Sequence, residues 1–317
     1  MSQIKTFECL PYLPRREVVR YMDILEILDL SLSSPFIKNA AKSLRLSFSE
    51  LKWIISSPGH FVIHLIPTNP NEPKIIFKLA QNSSSTFFSA CLNGKKCRIT
   101  RSGSLFTVKC GPSLCEKIEL LDDLTTTILE IFTVEKFHVK SNLYTDFLFK
   151  HSRKFETFSL SCQEVLTVKQ MRMLMEGIEV DIFKLETSKP MEFSETFEIN
   201  HRETHLPFAN WLISQPLLSI KCEKLVIGSI ENKPKLQPIN FVNFVSNWMS
   251  GGMDNLKFFE LNFKNDRVVR YELREEVYNG LQRLGYIEAD MPETFQRGDG
   301  KRALVEIHEP RFHMKLI

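Results

Sequence analysis

His201-Arg-Glu-Thr-His205 sets two histidines four residues apart, with Glu203 between them. On a helix such a pair shares a face and could offer two imidazole nitrogens to a metal. The zinc-protease order is His-Glu-x-x-His, and this sequence departs from it. The stretch is polar and runs into Pro207, so two surface histidines are the expectation. Cys91, Cys97, Cys110 and Cys115 lie close in sequence, but none of the seven cysteines forms a Cys-x-x-Cys pair. Their spacing is not that of paired zinc knuckles, and in a small sheet they are expected as compact apolar residues. No metal and no cofactor is expected.

Gly94-Lys95-Lys96 ends like a phosphate-binding loop. Ser89, however, stands where the first glycine is required, and Cys97 where a hydroxyl must meet magnesium. With 12 glycines there is no dinucleotide fingerprint, and Gly-x-Ser-x-Gly is absent. Arg297-Gly298-Asp299 has the letters of an adhesion tripeptide but reads as a turn. One charge pattern stands out. Between Glu72 and Glu116 there is no acid, while Lys74, Lys78, Lys95, Lys96, Arg98, Arg101 and Lys109 are present. Two readings stay open: a solvated sheet face, or a face for an acidic or phosphorylated partner gripped by Lys95, Lys96, Arg98 and Arg101.

The remaining composition is that of a folded chain: 317 residues, 43% hydrophobic and 25% charged. About two domains are expected at this length. The net charge of +3 argues for neither nucleic acid nor membrane as a partner. The 25 Phe against 6 Tyr and 3 Trp favour dry aromatic packing over base stacking. Scattered cysteines, the lack of a signal-type leader and the lack of an apolar run of spanning length point to reduced thiols in cytoplasm or nucleus. Asn82-Ser83-Ser84 has the form of a glycosylation acceptor, which has no meaning in those compartments.

These residues must be placed by three kinds of element. Residues 6–48 read as helices, with Pro14 in a first turn, Val18, Val19 and Met22 at helical spacing, and Pro35 opening a third helix. Residues 55–115 read as a small antiparallel sheet, with strands at Phe61–Ile66 and Lys74–Leu79 and turns at Asn93-Gly94 and Ser102-Gly103. Residues 116–317 alternate strand and helix. Apolar–polar–apolar beats begin at Phe137, Phe158, Phe183, Leu225 and Phe259, with helices at Val165–Glu176, Pro238–Met249 and Leu273–Leu284. A leucine-rich-repeat-like α/β stack and an ordinary five-stranded α/β domain both fit. The end is a hairpin across Gly298-Asp299-Gly300, with a last strand from Phe312 to Ile317.

The stretch from Ile24 to Leu32 is apolar almost all round, so its helix must be covered on more than one side. A segment of about 40 residues cannot bury that surface alone. Either a partner or the rest of the chain covers it. Leu10-Pro-Tyr-Leu-Pro, then Val18-Val19, then a Leu-rich helix ending in Ser31-Leu32-Ser33-Ser34, resembles the F-box. Trp248 and the late Arg297-Gly-Asp299-Gly300-Lys301-Arg-Ala303 extend the resemblance to nematode-type F-box proteins with an F-box-associated domain. Pro35 departs from the family, which has Lys or Arg there, and is expected to tilt or shorten the third helix.

The resemblance implies an α+β chain that is not itself an enzyme. It would be the substrate-recognition subunit of a cullin–RING ubiquitin ligase, with an amino-terminal three-helix F-box, a small antiparallel sheet and an irregular leucine-rich-repeat-like domain. It implies docking on a Skp-type adaptor, and through it on cullin, by Leu10, Pro11, Leu13, Pro14, Val18, Val19, Met22, Leu25, Leu28 and Leu32. The carboxy-terminal domain would hold a target protein. A hydrolase-like enzyme with a helical cap and an interaction scaffold without a ubiquitin role are the other readings.

Overall fold

The computed structural model describes residues 10–81, 87–187, 197–207, 220–230, 238–263, 267–283, 285, 294–308 and 311–317. Asn82-Ser83-Ser84 lies outside them. The chain divides into two compact units, Met1–Ser152 and Arg153–Ile317.

The first unit opens with α1 (Tyr12–Arg20), α2 (Ile24–Ser33) and α3 (Pro35–Ser43). Asp23 caps α2: its carboxylate accepts from the amides of Leu25 at 2.9 Å and Glu26 at 2.8 Å, and Glu26 accepts from the Asp23 amide at 3.0 Å. This reciprocal box satisfies orphan donors of the first turn. Only Ser34 separates α2 from α3, and Pro35 takes the first helical position, where no amide bond is lost. The third helix therefore runs nine residues and is not cut short.

Seven strands follow: β1 (Ser47–Ser56), β2 (His60–Pro67), β3 (Ile75–Ala80), β4 (Phe88–Leu92), β5 (Lys95–Ser102), β6 (Leu105–Lys109) and, after helix α4 (Leu114–Ile131), β7 (Thr133–Ser141). A short α5 (Phe147–His151) closes the unit. Their order is β7-β1-β2-β3-β6-β5-β4. The expected small antiparallel sheet over 55–115 is overturned. The sheet is mixed, because β7 runs parallel to β1 and β6 parallel to β3. Helix α4 carries the chain from β6 back across the sheet to β7, which then lies beside β1 and parallel to it. Leu121, Leu124, Ile128 and Ile131 give α4 a buried stripe at spacings of three and four. Trp53 on β1 is fully buried, donates to Thr125 Oγ1 on α4 at 3.1 Å and stacks on Phe137 of β7. Residues 116–141 thus belong to the first unit, and the division falls after Ser152 instead of at 115.

The second unit holds β8 (Lys154–Cys162), α6 (Val168–Glu176), β9 (Glu179–Thr187), β10 (Glu203–Leu206), β11 (Lys224–Ile230), α7 (Pro238–Met249), β12 (Phe258–Phe263) and α8 (Arg267–Arg283). It ends in β13 (Thr294–Gln296), β14 (Arg302–His308) and β15 (Arg311–Leu316). Strands β8 to β12 are parallel in sequence order. Then β15 pairs antiparallel with β12, followed by β14 and β13. The five apolar beats of the sequence all fall within strands, but no repeat stack results. The parallel strands are joined by connections of unlike length, and the antiparallel turn-back at β15 ends any repetition. The leucine-rich-repeat-like fold is therefore corrected: each unit is built on a large mixed sheet with helices, not on a small sheet followed by a solenoid.

In this unit Phe241, Phe244, Val245 and Trp248 form the buried stripe of α7, with Phe244 and Phe241 against Phe259 and Phe312 at ring distances of 4.3 and 4.8 Å. Gly280 lets α8 approach this helix: a Cβ there would stand 2.7 Å from Val242 Cγ2.

Candidate functional site

Helices α1 and α2 each pack on α3, α2 also packs on β4, and α3 also packs on α4. Val19, Leu28, Leu32 and Ile37 are fully buried by this packing. Salt bridges fasten the segment further: Asp29 of α2 to Arg101 of β5, and Lys38 of α3 to Glu130 of α4. Burial raises the Asp29 carboxyl, and the Arg101 bond only partly offsets this. The apolar surplus of α2 is thus covered by its own chain.

What remains outside is different. Tyr12, Leu13, Val18, Tyr21 and Phe36 are 49, 67, 40, 86 and 51% exposed. Arg15 braces this surface: it donates to the Leu10 carbonyl at 2.6 Å and lies 5.1 Å from the Phe36 ring centre. Pro11 and Pro14 are exposed too, and Leu10, Met22 and Leu25 are half-buried. A groove of about 710 Å³ is lined in part by Met22, Leu25, Leu44 and Leu46. Of the ten residues expected to dock an adaptor, seven are therefore at least partly accessible. Val19, Leu28 and Leu32 are withdrawn from that set because they form the helical core. Tyr12 and Tyr21, outside those ten, are exposed large apolar residues of the same segment. The sequence signal for them is their type, large aromatics beside the leucine–proline pairs.

The basic stretch divides in two. Side chains alternate along β5. Arg101 is joined to Asp29, and Lys95 to Asp123 of α4 at 2.8 Å. Lys96 and Arg98 alternate to the other side and are exposed, with Arg98 stacked over Phe87 at 4.5 Å. The four-residue face therefore loses Lys95 and Arg101 to internal acids.

The histidine pair is not a surface pair. His201 is fully buried, stacks on Phe183 at 4.4 Å and donates Nε2–H to the Leu174 carbonyl at 2.7 Å. His205 is half-buried and bonded to Glu203 at 2.6 Å, which also holds Lys224 at 2.6 Å. Burial drives the His201 pKa down to about 4. An unfolded chain would take up that proton below about pH 6.5, and the native state would not. Stability is therefore present in full above that value and falls as pH drops towards 4, by about 3 kcal/mol for this one group. His201→Gln is expected to flatten the dependence of the melting temperature on pH between 4 and 6.5; an unchanged slope would exclude His201 as its source.

Burial also pushes the Cys97 thiol up to about 11 and the Cys222 thiol up to about 12, which leaves both poor nucleophiles at neutral pH. Asp122 is buried in part, but its bonds to Lys150 at 2.9 Å and His151 at 2.5 Å hold its carboxyl below the usual range. Among the described residues no hydroxyl or thiol is bonded to His151, and no cluster of three or more His, Cys, Asp or Glu could hold a metal. No described helix is long and apolar enough to cross a membrane. Comparison with protein-family models, curated proteins and solved structures finds no match to this chain.

Proposed function

We propose that the chain is the substrate receptor of a cullin–RING ubiquitin ligase, acting in cytoplasm or nucleus. It binds a Skp-type adaptor through the outer surface of its first three helices and a target protein elsewhere. The observation that carries this reading is the set Tyr12, Leu13, Val18, Tyr21 and Phe36, large apolar side chains left exposed on α1, just after it and on α3, while Val19, Leu28, Leu32 and Ile37 of the same segment are fully buried. Exposed apolar surface of this kind favours a protein partner. The leucine–proline resemblance supplies the class of partner. Catalysis then rests with other subunits, and this chain raises the effective concentration of the target near them.

The test is co-purification of the intact chain with a Skp-type adaptor. Retention of the adaptor is expected, and its absence would reject the reading. Deleting residues 1–43 is a poor control, because α2 and α3 cover β4 and α4. Point substitutions at exposed positions are the clean one.

A further inference from the structure

The sheet of the first unit has an incomplete edge. β5 is paired with β4 over Lys95–Ile99 and with β6 over Ile99–Ser102. After Lys109 the chain leaves β6 and turns into α4. Lys95 to Cys97 therefore have a strand on one side and none on the other among the described residues, and Arg98 lies opposite Lys109, the last residue of β6. A cleft of about 570 Å³ opens here, with Phe87, Lys96, Cys97, Arg98 and Lys109 along it and Glu116 and Leu120 from α4. Lys96, Arg98 and Lys109 are exposed, and none is in an ion pair among the described residues. Phe87 is 48% exposed and carries the Arg98 guanidinium over its face, which pre-sets that fork for a carboxylate or phosphate. Glu116 is the one acid on the wall, its carboxylate lying directly over Gly111.

We propose that this cleft binds an extended acidic segment of the target protein. The segment adds as a short strand to the free edge of β5, where main-chain bonds hold it. Its negative side chains, from Asp, Glu or phosphoserine, meet Lys96, Arg98 and Lys109. Calling the segment part of a target rests on the receptor reading, but the binding itself does not, and it is measured without adaptor.

The full chain is titrated against fluorescein-labelled octapeptides: one Glu-rich, one Ser/Gly with two phosphoserines, one neutral Ser/Gly. The acidic probes are expected to bind at least tenfold more tightly than the neutral one, weakening as salt rises. The stronger of the two acidic probes identifies the source of the charge. Lys96→Glu with Arg98→Glu should lower acidic-probe affinity at least tenfold. Lys140→Glu with Lys184→Glu, an equal change of charge at exposed positions elsewhere, should lower it less than twofold. Lys96→Ala with Arg98→Ala, checked for an unchanged melting temperature, guards against a folding defect and should also weaken binding. Equal binding of acidic and neutral probes, or equal loss in the two charge-reversed variants, would overturn the proposal.

Discussion

Leu28→Asp is expected to unfold the first unit, while Leu13→Asp leaves it folded; both abolish adaptor capture. Leu28 is 0% exposed in the packing of α1, α2 and α3, and Leu13 is 67% exposed. A carboxylate placed at Leu28 has no partner and must either stay ionised in apolar surroundings or take up a proton. Such substitutions cost more than about 4 kcal/mol, a large part of the stability of a domain this size. At Leu13 the new charge stays in water, and the stability change is within about 0.5 kcal/mol. Thermal unfolding followed by circular dichroism separates the two. Loss of structure in Leu13→Asp would place that residue in the core, against the geometry described above.

Arg297→Ala is expected to produce the second large loss, in the second unit. The Arg297 side chain is 7% exposed, paired with Asp254 at 2.7 Å and with Asp299. It also donates to the Trp248 carbonyl at 3.3 Å and sits 5.5 Å from the Trp248 ring centre. One guanidinium thus joins the Gly298–Gly300 turn to the end of α7. It also holds the Asp299 carboxyl well below the usual carboxylate range. Truncation removes the contact with the Trp248 carbonyl and opens space over the Trp248 ring, while the two acids stay in water; a loss of about 1–3 kcal/mol is expected, in the range of ordinary destabilising substitutions. Arg297→Lys should recover only part, since an ammonium cannot reproduce the fork. The readout is the guanidinium chloride midpoint of the second unit. An unchanged midpoint in Arg297→Ala would show the cluster to be surface decoration.

Local features were legible in the sequence, and long-range ones were not. Pro14 and Pro35 marked helix starts because proline suits the first turn, and the apolar beats from Phe137 to Phe259 lie in strands because alternation is a local property. The Asp23–Glu26 capping box was equally local and was overlooked. The parallel pairing of β1 with β7 joins residues more than 80 positions apart, and nothing near Phe48 or Phe137 announces it. That pairing is why the small antiparallel sheet was the wrong expectation.

The same limit applies to the candidate sites. The sequence reading placed Lys95, Lys96, Arg98 and Arg101 on one face, although alternation along β5 puts Lys95 and Arg101 opposite Lys96 and Arg98. Which pair was neutralised depended on Asp29 and Asp123, brought in by α2 and α4. The apolar surplus of α2 was read correctly as needing cover, but the sequence could not say that β4 and α3 provide it. His201 looked polar by its neighbours and is buried because the strand that follows carries it against Phe183.

The most direct measurement is calorimetric titration of the purified chain with a purified Skp-type adaptor, beside the Leu13→Asp/Tyr21→Asp double variant. The exposed apolar surface predicts saturable one-to-one binding by the native chain. In the variant, binding should be weakened at least a hundredfold with the melting temperature unchanged. No saturable heat from the native chain, or equal affinity in the double variant, would contradict the assignment of this surface to adaptor docking.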